Sequence, residues 1–148
     1  MSEEPAAAAE LLQQGLVAVA TRDWESLRRL CSDDVTWRVS GHGPLAGILQ
    51  GAEAVVERYQ LMSEVTEGDA EAQSVALLAG GEYAALVQGN WVVQPDGTRQ
   101  WFTAITLVRA QAGRIVLIES LVSDQDVVDA LWTARMRPTR SAVRPGIT

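Results

Sequence analysis

The second half of the chain carries a run of consecutive strands joined by tight turns, and this run limits the possible folds more than any other feature. Between the strands stand residues that such turns require, in the sequences Gly80-Gly81, Pro95-Asp96-Gly97 and Ala112-Gly113. Strands joined so closely pair with their neighbours in the chain, so we expect an antiparallel meander. Alternating and β-branched side chains predict its strands at about 72–78, 82–93, 98–109 and 114–122.

Helical spacing dominates the sequence before this run. Apolar residues at intervals of three and four predict a first helix at about 4–21, and Asp23 is placed to cap a short second helix. A strand at 34–39 and a helix between 51 and 67 follow, and Ser123 is expected to cap a last helix. Helices followed by a contiguous antiparallel sheet define an α+β fold.

Both faces of the predicted sheet carry apolar side chains. A sheet covered by helices on one side only would show polar residues on the other side. We therefore expect the second face to be covered as well, and a twin subunit is the simplest cover, which predicts a homodimer that pairs through its sheets. The alternation is seen in one strand, where Trp101, Ile105 and Leu107 oppose Phe102, Ala104 and Val108.

The composition excludes several classes of function. The chain has 148 residues and a net charge of −7, which disfavours the broad phosphate contacts of nucleic-acid binding. All twelve basic residues are Arg, so lysine Schiff-base and P-loop chemistry have no residue to perform them. One His and one Cys are too few for a zinc or histidine-rich metal site, and we expect no metal and no cofactor.

The termini and the single cysteine bear on location and domain organisation. Cys31 cannot form an intrachain disulfide, the start of the chain is acidic, and no apolar run is long enough to cross a membrane, so we expect a cytoplasmic protein without a membrane partner. The last 14 residues hold four Arg and no acid. We therefore predict one domain at 1–134 and an Arg-rich tail at 135–148.

Two segments resemble a known family, the SnoaL-like branch of the nuclear transport factor 2-like superfamily. One runs from Asp34 to Gly47, with Gly51 opening a helix after it, and the other contains Gly113-Arg114-Ile115-Val116 with Glu119 and Asp124. The resemblance covers roughly residues 6–134. It implies a cone-shaped α+β barrel whose curled sheet encloses an apolar pocket. It leaves the activity open, because this superfamily includes polyketide cyclases, ketosteroid isomerases, epoxide hydrolases and non-catalytic binding modules.

The residues of ketosteroid isomerase are not matched. That enzyme uses an Asp base with an oxyanion hole made by a Tyr and a protonated Asp. Alignment places Gly15 at the Tyr and Ile105 at the oxyanion Asp, while the base falls on Val39 or His42. Steroid isomerisation by that mechanism is therefore not expected, although the resemblance still implies a substrate pocket.

Four residues are candidates for catalysis. His42 is the only imidazole, in the loop after the first strand, where the superfamily often has a catalytic group. Glu119 interrupts an apolar alternation, so that burial would make it a general acid or base, unless it pairs with Arg99 or Arg109 or is exposed to solvent near the strand end. Tyr59 would offer its hydroxyl to a ligand carbonyl. Asp124 either acts in the site or stabilises the first turn of the last helix.

A second group of residues is assigned to substrate binding. Trp37, Trp91 and Trp101 lie on strands and are expected to line a cavity and stack on a planar ligand. Gly15 leaves space on the inner stripe of the first helix. Arg38 is included because, with Asp34, it would imitate the Asp-Arg-Asp arrangement of the epoxide hydrolases. A pair of Arg99 and Glu119 is the other version of that arrangement.

These observations favour a cofactor-independent cyclase or isomerase of bacterial biosynthesis that acts on a small hydrophobic, polyketide-like molecule. The alternatives left open are a non-catalytic dimeric module that binds a small ligand or supports a partner enzyme, and an epoxide hydrolase.

Overall fold

The computed structural model describes residues 3–66, 70–94 and 96–136. Along these residues the chain forms four helices and six strands. In chain order they are α1 (Glu3–Ala20), α2 (Trp24–Leu30), β1 (Cys31–Val39), β2 (Gly47–Gln50), α3 (Ala52–Val65), β3 (Ala70–Gly80), β4 (Tyr83–Val93), β5 (Arg99–Gln111), β6 (Arg114–Val122) and α4 (Gln125–Met136).

The strands form one sheet in the order β2-β1-β6-β5-β4-β3, which curls around the helices without closing. Strands β3 to β6 are the expected antiparallel meander. Strand β1 runs parallel to β6, with Trp37 opposite Ile118, and antiparallel to β2. Strand β2 was not predicted, because its four residues are too few to show an alternating pattern. The predicted α+β architecture is confirmed.

Helices α1 and α3 cover one face of the sheet, which we call the inner face. Helix α1 lies against β3, β4 and β5, while α3 lies against β1. The side chains that meet there are almost completely buried, and removing each large apolar side chain from water contributes about 1.5–3 kcal/mol. This core consists mainly of Leu12, Val35, Trp37, Val55, Leu86, Val108 and Ile118.

The caps of two helices explain two of the acidic residues. Asp23 caps α2, as predicted, by accepting the Ser26 N–H at 3.2 Å. Ser123 does not cap α4, because its hydroxyl accepts the Thr103 N–H of β5 at 3.0 Å. The residue after it takes that place, since Asp124 accepts the Val127 N–H at 3.3 Å. A side-chain oxygen at this position satisfies a helix donor that has no other partner.

The opposite face of the sheet, which we call the outer face, carries large apolar side chains that solvent reaches. Trp101 and Leu121 are each 45% exposed, and Tyr83 on β4 is 42% exposed. The expectation that both faces of the sheet are apolar is therefore confirmed.

The C-terminal boundary differs slightly from the predicted one. Helix α4 continues through Arg135 to Met136, two residues beyond the expected end of the domain at 134. The rest of the predicted Arg-rich tail, 137–148, lies outside the described residues. None of the helices described is long and apolar enough to cross a membrane.

Candidate functional site

A cavity of about 210 Å³ lies between α3, α4, the inner face of the sheet and the loop 40–46, and we call it the α4 cavity. Aromatic and aliphatic side chains form most of its wall. They include Trp37, Tyr59, Met62, Phe102, Val128 and Trp132. Polar groups interrupt this wall at a few places. They include Ser40, Arg58, Gln88, Asn90, Thr106, Ser120, Gln125 and Asp129.

Two stacked rings form the flat part of the wall. The centroids of Trp37 and Tyr59 lie 4.3 Å apart with an angle of 14° between the ring planes. The Trp37 indole N–H donates to the Ser120 hydroxyl at 2.8 Å, which fixes the stack against β6. Burial, with a smaller contribution from Cys31, raises the pKa of Tyr59 above its ordinary value. The Tyr59 hydroxyl therefore stays protonated and is available as a hydrogen-bond donor.

Asn90 places an amide on the inner face of β4, two residues after Gln88. The Nδ2 atom of Asn90 is buried, and it has no hydrogen-bond partner among the residues described. Leaving a buried donor unpaired costs roughly 1–3 kcal/mol, and native proteins usually avoid it. Because Asn90 lines the α4 cavity, an acceptor bound there is a candidate partner for this donor.

Arg58 brings a cation to the same wall from α3. Its Nη1 donates to the Leu45 carbonyl oxygen at 2.9 Å, and burial lowers the pKa of the guanidinium from its ordinary value. In the part of the chain that the structure describes, no carboxylate pairs with Arg58. The guanidinium keeps further N–H groups that can bind an acceptor.

Asp129 joins α4 to the loop that closes one end of the cavity. Its Oδ2 accepts the His42 backbone N–H at 2.9 Å, and its Oδ1 accepts Gln125 Nε2 at 2.9 Å. The His42 N–H is the main reason that the pKa of Asp129 lies below its ordinary value. The loop can approach α4 this closely because Gly41, at a φ of +100°, has no Cβ, which would collide with the side chains of Gln125 and Asp129.

A second cavity of about 470 Å³ lies between α1 and the sheet, and we call it the α1 cavity. Gly15 lines it, as expected, and a Cβ there would come no closer than 3.9 Å to Leu30. Most of the remaining lining is aliphatic. Tyr59, Gln88 and Thr106 line both cavities, so these three side chains form the wall that the cavities share.

Of the residues predicted from the sequence, Trp37, Tyr59 and Gly15 line a cavity. His42 lies in the loop beside the α4 cavity, but its side chain is exposed and it is not part of the cavity wall. Asp124 is exposed and caps α4, which supports the structural alternative for that residue.

The expectation for Glu119 and Arg38 is corrected. Glu119 lies on the outer face, where Arg38 of the neighbouring β1 donates to its Oε2 at 2.9 Å. The ion-pair alternative for Glu119 therefore holds, with Arg38 as the partner. Arg109 instead pairs with Glu82 at 2.9 Å. Strand alternation is the reason, because Ile118 and Ser120 point inward and the residue between them must point outward.

The same alternation places two tryptophans outside the cavity. Trp91 and Trp101 pack against each other on the outer face with ring centroids 4.9 Å apart, and the Arg99 guanidinium lies 4.4 Å from the Trp91 centroid. The Trp101 ring covers Gly89, where a Cβ would overlap it. The prediction that Trp91 and Trp101 line the cavity is therefore wrong. The Asp-Arg-Asp arrangement does not occur in the α4 cavity either, because Arg38, Arg99 and Glu119 all lie on the outer face.

Three residues of the site were missed in the sequence, namely Arg58, Asn90 and Asp129. Asn90 and Gln88 gave a signal, since both are polar residues on the same face of β4 as the buried Leu86 and Val92. Arg58 and Asp129 gave none, because each is an ordinary charged residue of an amphipathic helix.

Among the residues described, no three His, Cys, Asp or Glu side chains are grouped so as to hold a metal ion.

Comparisons with known proteins agree with the fold described above. The family model described as SnoaL-like domain matches residues 12–118. No curated protein matches the chain significantly. Bal32a, from a soil-derived mobile gene cassette, superimposes with a TM-score of 0.79 at 21% identity, over 87% of this chain and 98% of its own.

Two further solved structures share the fold. A candidate SnoaL-like polyketide cyclase from Jannaschia sp. CCS1 gives a TM-score of 0.73 at 12% identity, over 93% of this chain and 98% of its own. TerC, co-crystallized with polyporic acid, gives a TM-score of 0.71 at 15% identity, over 84% of this chain and 97% of its own.

Proposed function

Because the chain belongs to the SnoaL-like domain family, which includes polyketide cyclases and ketosteroid isomerases, we propose that it is a cofactor-independent cyclase or isomerase. Its substrate is a small hydrophobic, polyketide-like molecule of bacterial biosynthesis, bound in the cytoplasm. The α4 cavity carries this proposal, because there an aromatic wall meets a carboxylate and the Asn90 amide donor, which has no partner among the residues described. Such a cavity, largely apolar with a few polar groups, is the usual form of a small-molecule site.

The proposed reaction begins when a proton leaves the carbon next to a carbonyl group of the substrate. Asp129 takes this proton, since it is the one carboxylate among the described residues that line the α4 cavity. Negative charge then develops on the carbonyl oxygen, and the Tyr59 hydroxyl donates to it. In an isomerase the proton returns to another carbon. In a cyclase the enolate carbon attacks a second carbonyl of the same chain, and the new alkoxide takes the proton.

The walls of the cavity also contribute to the proposed reaction. The Trp37–Tyr59 stack and Phe102 hold a planar substrate, and folding a flexible chain into a reactive conformation lowers the entropic part of the barrier. A longer substrate extends past the shared wall at Tyr59, Gln88 and Thr106 into the α1 cavity. TerC, of the same fold, was co-crystallized with polyporic acid, which supports a small-molecule ligand for this fold.

A non-catalytic ligand-binding module is the second candidate, and one observation favours it. Both oxygens of Asp129 already accept hydrogen bonds, and these hold its pKa below the ordinary value. A carboxylate stabilised in this way is a weak base, so the cavity would bind a ligand without converting it.

Turnover of an aryl β-diketo ester tests the proposal. We expect the protein to convert it to a cyclised product, followed by mass spectrometry, and Asp129→Asn to lower kcat by about 100-fold to 10,000-fold with little change in KM. Asparagine still accepts the His42 N–H, so the loop is retained while the base is lost. Recovery of the bound ester unaltered would overturn the catalytic proposal and favour the binding module.

We also propose that a second copy of the chain covers the outer face. Exposed apolar side chains favour association, and a two-fold pair would bury those of the outer face on both copies. The outer-face members with large exposed side chains are Ile48, Leu78, Tyr83, Trp101 and Leu121.

Charge placed on the outer face should separate the copies. We expect light scattering to give a dimer for the natural protein and a monomer for Trp101→Arg, because the guanidinium would be buried without a partner. Val17→Arg is the matched control, since Val17 is 61% exposed but lies on α1. A natural protein that is monomeric at micromolar concentration would exclude this assembly.

A further inference from the structure

The wall of the α4 cavity carries a cation and a buried amide donor in a chain whose net charge is −7. These groups are the Arg58 guanidinium and the Asn90 side chain, and they share the wall with the Asp129 carboxylate. Arg58 is partly buried and gives one hydrogen bond to the Leu45 carbonyl. Asn90 Nδ2 is buried and has no partner among the residues described. Both groups need an acceptor.

We propose that Arg58 and Asn90 form a site for an anionic oxygen of the ligand, so that the substrate class is a planar hydrophobic acid with a carboxylate or an acidic enol. This inference rests on the proposed function, because it concerns the same cavity and names the head group of the molecule bound there.

The chemistry of the two donors favours an anion over a neutral carbonyl. A guanidinium binds a carboxylate through two parallel N–H groups, and hydrogen bonds between charged partners are roughly twice as strong as neutral ones. Partial burial strengthens this preference, because Arg58 has lost part of its hydration without gaining a counter-ion in the described chain, and burial lowers its pKa.

The Asp129 carboxylate on the same wall does not pair with the Arg58 guanidinium. Asp129 is bound to the His42 N–H and to Gln125, and Arg58 makes no ion pair with it. Arg58 and Asn90 are binding residues that hold the head of the ligand, whereas Trp37 and Tyr59 provide the flat surface for its ring.

A matched pair of probes tests the charge of the head group. 2-Naphthoate and 2-naphthamide have the same flat ring system and nearly the same size, but only the first carries a negative charge near neutral pH. We expect titration followed by tryptophan fluorescence to show that naphthoate binds at least about tenfold more tightly than naphthamide.

Two substitutions assign that difference to the proposed groups. Arg58→Gln removes the charge but keeps an amide donor, so it should weaken naphthoate binding far more than naphthamide binding and remove most of the preference. Asn90→Leu should weaken naphthoate binding without lowering the melting temperature, because it removes a buried donor that has no partner. Arg114→Gln, at an exposed position, is the control for a general loss of positive charge.

The outcomes separate this inference from the proposed function. Equal affinity for the two probes, or a preference that survives Arg58→Gln, would overturn the acid site while the hydrophobic ligand cavity remained supported. Binding of neither probe would overturn both. A preference lost equally in Arg114→Gln would show that the net charge of the protein is responsible, and this would also overturn the acid site.

Discussion

Trp37→Ala is expected to lower the free energy of unfolding by about 3–5 kcal/mol, the range measured when a buried tryptophan is cut back to alanine. Trp37 is 2% exposed and packs among Val35, Val55 and Ile118 in the main core. The substitution removes the ring under Tyr59 and leaves the Ser120 hydroxyl without its donor. Unfolding in guanidinium chloride, followed by circular dichroism, measures the change.

Trp37→Phe is the matched control. Phenylalanine keeps a ring in contact with Tyr59 and loses the indole N–H, so the cost should be clearly smaller than that of alanine. A loss below about 1 kcal/mol for Trp37→Ala would contradict the account, because such a value belongs to an exposed position.

Leu131→Ala should cost about 2–5 kcal/mol, because the side chain is 1% exposed and anchors α4. Leu131 packs in a small cluster with Val92, Phe102 and Val128, apart from the main core. Since α4 forms one wall of the α4 cavity, the variant should also bind 2-naphthoate less tightly. Thermal unfolding and fluorescence titration measure the two effects.

An exposed apolar position gives the reference for this variant. Val17→Ala should change stability by no more than about 0.5 kcal/mol and leave binding unchanged. Normal naphthoate binding by a destabilised Leu131→Ala protein would mean that α4 is not part of the binding site.

The order of elements was predictable because its signals are local. Turn residues such as Gly113, at a φ of +77°, and the cap at Asp23 act within a few residues, so the sequence displays them directly. The pairing of β1 with β6 is not local, since it joins Trp37 to Ile118 across most of the chain. This pairing was not predicted, because the resemblance implied only a curled sheet and no local signal names the partner of β1.

The direction of the strand faces was harder to predict, because both faces are apolar. In β5, Trp101 and Phe102 are equally hydrophobic, and only the helices that cover one face decide that Phe102 is buried and Trp101 is 45% exposed. Glu119 was misjudged for the same reason. The same pattern, an acid among apolar neighbours, has two meanings. On an inner face the acid is buried, whereas on an outer face it forms an ion pair.

The site depended on contacts between distant segments. Asp129 gains its role because Gly41 and Gly43 let the loop approach α4, and nothing near Asp129 in the sequence indicates this. Arg58 is notable because no carboxylate of the described chain pairs with it, which only the three-dimensional arrangement can show. Tyr59 was predictable, since it lies on the apolar stripe of α3.

A crystal structure of the protein with 2-naphthoate tests most directly whether the α4 cavity is the functional site. We expect density inside this cavity, with the ring on the wall formed by Trp37 and Tyr59 and the carboxylate within hydrogen-bond distance of Arg58 and Asn90 Nδ2. Naphthoate bound on the outer face beside Trp101, with the α4 cavity empty, would contradict it.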